Sequence, residues 1–144
     1  MKFLLTLLLS VIMISNKSMA QSNADELVNL FFKEFAKEAN QPVSSIQQIK
    51  NNFDWAKPLL LRNYNKEIVD ISLDMIGKYS GAQLINKLKL ADKFFIYSYA
   101  IIYSERPLRF KLYVFEANSQ WKISRIKIDE DFDEDAYALA RIKN

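Results

Sequence analysis

The 144-residue chain contains no cysteine and no histidine, and only two glycines and three prolines. Without cysteine there is no disulfide, no thiolate nucleophile and no acceptor for a lipid anchor. Without histidine, Ser-His and Cys-His pairs, an imidazole general base and most zinc sites are excluded. Gly77 and Gly81 alone cannot build a glycine-rich loop around a phosphate. The chemistry left belongs to carboxylates, tyrosine, lysine, serine and arginine, and no spacing among them marks a catalytic residue, a metal ligand or a cofactor site.

What is present begins with a leader. Lys2, the apolar run FLLTLLLSVIMI and the small-residue close Ser18-Met19-Ala20 have the three parts of a secretory signal peptide cleaved after Ala20. The run is short for a membrane span, which needs about 20 apolar residues. The expectation is a leader over residues 1–20 and a single α+β domain over 21–144, exported to the periplasm or secreted, with no membrane anchor after cleavage. The net charge of +3 includes Lys2 and Lys17. Without them the domain lies within about one charge of neutrality, which gives no electrostatic case for nucleic acid.

Residues 94–131 organise the domain. FFIYSYAIIYS, LRFKLYVFEA and WKISRIKID are β-branched and aromatic runs separated by Glu105-Arg106-Pro107 and by Asn118-Ser119, the pattern of an antiparallel meander. Leu108, Phe110, Leu112 and Val114 make one face of the middle strand apolar, while its other face starts with Arg109 and Lys111 and ends with Tyr113 and Phe115. In the last strand Trp121 and Ile123 occupy one parity and Ile126 and Ile128 the other. That switch reads as a β-bulge near Ser124 or as a strand buried on both sides at its far end. Ahead of the meander, AQLINKLKL reads as a first strand with Leu84, Leu88 and Leu90 on one face and Ile85, Lys87 and Lys89 on the other.

Helices are expected upstream. Asn23 with Glu26 makes a capping box for a helix over residues 24–39, with Leu27, Val28, Phe31, Phe32 and Phe35 at helical spacing. Ser44 or Ser45 caps a second helix with Ile46, Ile49 and Phe53 inward. From Pro58, the recurrence of Leu60, Tyr64, Ile68, Ile71 and Met75 favours a third helix, and a strand through Val69, Ile71, Leu73 and Met75 is the competing reading.

Helices followed by a four-stranded antiparallel meander resemble the cone-shaped α+β fold of the nuclear transport factor 2-like superfamily, in particular small exported bacterial members without known activity. The residues that carry the likeness are Gly77-Lys78-Tyr79-Ser80-Gly81, Tyr103-Ser104-Glu105, Arg106-Pro107-Leu108-Arg109-Phe110, Trp121-Lys122-Ile123 and the acidic close Asp129-Glu130-Asp131. The resemblance implies a pocket between the helices and a curved sheet, and a dimer through the opposite sheet face.

The candidate ligand-binding residues are Tyr97, Tyr99, Tyr103, Arg109, Tyr113 and Trp121, which offer rings to stack on, hydroxyls to orient a polar group and one guanidinium for an anion. Their bland reading is strand propensity and, for Arg109 and Lys111, a solvated strand face matched to Glu105 or Glu116. The acidic run from Asp129 to Asp135 lacks the glycine and the closing glutamate of a calcium loop and suits the start of a short C-terminal helix. The expected function is a non-catalytic binding or interaction domain for a small apolar ligand or a protein partner, with a homodimer through the sheet. The alternative is a small isomerase- or hydrolase-like enzyme that uses a pocket carboxylate and a tyrosine. A carboxylate pair of Asp70 or Asp74 with Asp129 would be one version of it.

Overall fold

The computed structural model describes residues 23–63 and 73–142. The expected leader lies outside them, as do Tyr64, Ile68, Val69, Asp70 and Ile71. Asn23 accepts the Glu26 N–H on its side-chain oxygen at 2.9 Å and starts helix α1, Ala24–Phe35. The helix is shorter than the expected 24–39, because residues 36–40 form turns. The second helix, α2, Pro42–Asn52, begins at the proline, whose missing N–H costs nothing in the first turn. The expected cap at Ser44 or Ser45 is therefore corrected: Ser45 lies inside α2, and its hydroxyl donates to the Phe35 carbonyl at 3.0 Å.

A 3-10 turn, Asp54–Ala56, leads into strand β1, Leu60–Asn63, and a one-turn helix α3, Leu73–Ile76, precedes the meander. This overturns the helix expected from Pro58 at residues 60–63. The run Leu59-Leu60-Leu61 fits either period, and pairing with a distant strand decides it. The strand reading fails at residues 73–75, which are helical. Strands β2, Tyr79–Ala91, β3, Phe94–Tyr103, β4, Leu108–Ala117, and β5, Gln120–Asp129, follow, and helix α4, Asp133–Ile142, closes the chain.

The protein is α+β with one mixed sheet of five strands in the order β1-β5-β4-β3-β2. The expected four-stranded antiparallel sheet is thereby corrected. β2 to β5 do form the antiparallel meander, but β1 adds to β5 in parallel, with Leu60 opposite Arg125 and Asn63 opposite Ile128. Asn118 and Ser119 both take positive φ, 52° and 59°, which gives the β4–β5 turn the twist a two-residue hairpin needs. The bulge expected near Ser124 is present: Tyr113 pairs with Arg125 and Val114 with Ile123, so Ser124 is the extra residue.

Alternation then sorts the sheet into two faces. Tyr97, Ile101, Leu108, Phe110, Leu112, Val114, Ile123, Ile126 and Ile128 are buried, and they pack with Leu27, Val28, Phe31 and Phe35 of α1 and Ile46 and Ile49 of α2. Phe35 meets Phe110 edge to face at 5.2 Å between centroids. The opposite face carries Arg109, Lys111, Tyr113 and Phe115, and α4 lies over its charged end.

Gly77, φ +79°, seats the start of β2 against the end of β3, where the Glu105 N–H bonds to the Ile76 carbonyl and the Ser104 N–H to that of Lys78. A Cβ there would fall 2.0 Å from Ser104 Oγ and 2.9 Å from Glu105 N. Gly77→Ala should therefore cost at least about 1–3 kcal/mol, the range for a non-glycine residue held in this backbone region. The measurement is a fall in the urea midpoint at unchanged slope.

Candidate functional site

The six candidate ligand residues do not converge. Tyr97, Tyr99, Tyr103 and Trp121 face the helices, whereas Arg109 and Tyr113 stand on the opposite face, as strand alternation requires once the β3–β4 register pairs Tyr99 with Phe110 and Ala100 with Arg109.

The three tyrosines form a seam along α1. The Tyr97 hydroxyl donates to Asp25 Oδ1 at 2.7 Å, the Tyr99 ring lies 4.3 Å from that of Phe32, and the Tyr103 hydroxyl donates to the Ala39 carbonyl at 2.5 Å. Helix and strand therefore run the same way, stitched at three levels. Burial, reinforced at Tyr97 by Asp25, pushes all three phenols above their ordinary pKa, so they remain donors. Phe31, Phe35, Ile46, Phe110 and Leu112 fill the space between α1, α2 and the sheet. A hollow of about 580 Å³ lies elsewhere: it is open to solvent, with Asp54, Lys57, Gln120 and Lys122 around Pro58 and Phe115.

At the outer end of the seam Lys87 Nζ bonds to Asp25 at 2.8 Å and lies 4.8 Å from the centre of the Phe95 ring. Phe95 in turn meets Trp121 at 5.7 Å. Lys87, then the Tyr97 hydroxyl, hold the Asp25 carboxyl below its ordinary pKa. Asp25 is thus an ionised acceptor with two donors, and its side chain is 59% exposed.

The opposite face carries the densest ionic cluster. Arg109 is completely buried. Its Nε and Nη2 bind both oxygens of Asp129 at 2.6 and 2.7 Å, and its Nη1 reaches Asp135 at 2.9 Å and Glu134 at 3.3 Å. Lys111 adds a 2.8 Å contact to Glu134 and Lys127 a 3.1 Å contact to Asp129. Burial opposes the Arg109 charge, but Asp129 and Asp135 outweigh it and hold its pKa above the ordinary value. The solvated pairing of Arg109 and Lys111 with Glu105 or Glu116 is therefore corrected, because both partners come from β5 and α4. The carboxylate pair of Asp129 with Asp70 or Asp74 loses its member: Asp129 is committed to Arg109. The acids Asp133, Glu134 and Asp135 do occupy the first turn of α4, where the helix dipole favours them.

Strand β2 is an edge of the sheet, and sequence parity misassigned its leucines. Register breaks follow Tyr79, Leu84 and Lys89, so Leu84 pairs with Tyr99 of the helix-facing side and Leu88 with Ile96 of the other. The expected single face is split by the bulge after Leu84. Leu84, Leu88 and Leu90 are 52%, 48% and 51% exposed.

No family model, curated protein or solved structure matches the chain. Among the described residues no helix is long and apolar enough to cross a membrane.

Two outcomes follow from the ionic cluster. Arg109→Met leaves Asp135 buried without its guanidinium and Asp129 with Lys127 alone, and should cost about 3–5 kcal/mol in a chemical denaturation curve. Burial works against the Asp129 carboxylate, but Arg109 and Lys127 hold its pKa low, and Lys111 does the same for Glu134. Folded values below unfolded ones stabilise the protein above the unfolded pKa of about 4, and that contribution drains as pH falls through the folded values. Thermal midpoints should fall on acidification below about pH 4, with a shallower acid limb in Glu134→Gln.

Proposed function

We propose that the chain is an exported, non-catalytic interaction domain that engages a protein partner, including a second copy of itself, along β2. The observation that carries this reading is the row of half-exposed leucines, Leu84, Leu88 and Leu90, on both sides of a thirteen-residue edge strand. Burying one such side chain contributes about 1.5–3 kcal/mol. The three register breaks interrupt the free edge, which disfavours addition of a further strand and leaves side-chain packing as the means of contact. A filled interior favours a protein partner over a small apolar ligand between helices and sheet.

A second reading, a small isomerase- or hydrolase-like enzyme, has one observation in its favour: the Tyr97 hydroxyl stands on the Asp25 carboxylate. That pair has an aromatic neighbour in Phe95, but the Asp25 side chain is 59% exposed and Lys87 already neutralises it.

Light scattering on residues 21–144 at tens of micromolar should give a mass above the monomer. Leu84→Glu combined with Leu88→Glu should lower self-association by roughly tenfold or more, the equivalent of losing one buried leucine contact. A mass unchanged by both substitutions removes β2 from the interface.

A further inference from the structure

The sheet face that carries Arg109 is covered only in part, and its burial stops between two cross-strand rows. Ser98 and Lys111 are buried beside α4, whose Glu134 lies 2.8 Å from Lys111. Two residues further along the same strands Ile96 and Tyr113 are half-buried, and so are Phe94 and Phe115 beyond them. The register carries the row of Tyr113 across all five strands: Leu60 stands beside Arg125, Arg125 beside Tyr113, Tyr113 beside Ile96 and Ile96 beside Leu88. Leu60 and Leu88 close its two ends at 51% and 48% exposure.

The row has the dimensions of a short helix. Steps of about 4.8 Å between neighbouring strands make it about 19 Å long, the rise of about 13 helical residues. Along β4 the distance from Arg109 to Tyr113 is about 13 Å, whereas packed helix axes lie about 8–10 Å apart, so a second helix has room beside α4.

The charge around this row is of one sign. Arg125 lies 4.9 Å from the centre of the Tyr113 ring. Neither Arg125 nor Lys122, which stands beside Phe115 in the adjoining row, forms an ion pair among the described residues. No carboxylate belongs to either row, and Asp54, which lines the same hollow as Lys122, is tied to Lys57. Apolar side chains interleaved with unanswered cations are matched by apolar side chains flanked by carboxylates. The same face already binds that chemistry at its other end, where Arg109 and Lys111 hold the acids that start α4.

We propose that this row docks an acidic amphipathic helix of a different protein, laid beside α4 with its apolar stripe on Tyr113 and Ile96 and its carboxylates on Arg125 and Lys122. A second copy of the chain has no described helix to offer, because α1 and α2 pack on the other sheet face, α3 is one turn and α4 is held by its own acids. The hollow of about 580 Å³ beside Phe115 and Lys122 gives one large side chain of the partner room at the β5 end of the row. The inference goes beyond the β2 surface: the two share Leu88, but this one rests on the register and the cations.

The probe is a synthetic peptide of about 14 residues with leucine at every third or fourth position and glutamate between, set against the same peptide with lysine for glutamate. Nitrogen-15-labelled full chain is titrated with each at low salt. The expected result is that the glutamate peptide alone binds, gains helicity by circular dichroism and shifts the amides of Arg125, Tyr113 and Ile96. Arg125→Glu combined with Lys122→Glu should weaken it by about tenfold or more and let the lysine peptide bind instead, a reversal that mere loss of structure does not produce. Equal binding of both peptides, shifts confined to other residues, or an unchanged affinity in the double variant overturns the proposal. Loss of self-association in that variant would hand the row to a second copy, and uptake by phosphatidylglycerol vesicles with no response to either peptide would hand it to a lipid surface; either result sinks the idea. Leu84 pairs with Tyr99 on the helix-facing side, so Leu84→Glu should leave peptide binding unchanged, and the row and the β2 surface stand or fail separately.

Discussion

A guanidinium sealed from water has to be answered by carboxylates, and Arg109 imposes that condition on half of the fold. Its fork meets both oxygens of Asp129, the residue opposite it in the β4–β5 register, so a slip of one residue would strand the charge as well as turn the apolar face outward. Its remaining nitrogen reaches Asp135 and thereby draws the last helix down onto the sheet. Burying these charges costs about as much as their attraction returns. Their contribution is therefore to specify one arrangement, while stability comes from the face behind them, where Phe110, Leu112 and Val114 meet α1.

The two faces of β4 divide the labour of the molecule. On one side rings and branched aliphatics meet two helices, and the tyrosines of β3 fasten α1 at Asp25 and Phe32 and the turn after it at Ala39. On the other side Arg109 and Lys111 reach the acids at the start of a single helix. Between them the β2 edge is left with leucines that neither layer covers.

Much of this arrangement was legible in the amino-acid order, for local reasons. The parity switch from Ile123 to Ile126 offered a bulge near Ser124 as one of two readings, and Asn118-Ser119 announced a tight turn, because both signals depend on neighbouring residues. What escaped depends on pairing across long separations. β1 is four residues with no alternation of their own, and it becomes a strand only because β5 lies beside it. The β2 leucines share a parity on paper, and the bulge after Leu84 separates them. The six ring-bearing and charged candidates were grouped by residue type. Their division between two faces follows from the β3–β4 register, which no local pattern encodes. Arg109 was noticed as a charge on a strand, but its acids arrive from β5 and from a helix, and nothing near it in sequence names them.

The parallel pairing of β1 with β5 has a further consequence for biosynthesis. Leu60 waits for Arg125, as Asn40 waits for Tyr79 and Asp25 for Lys87 and Tyr97. Contacts of such high sequence separation close late and slowly. A polypeptide emerging amino end first cannot seal its core until the fifth strand has appeared, so its early helices travel as unpaired amphipathic segments for most of translation. That delay leaves the apolar faces of the early helices open to other chains until the last strand arrives.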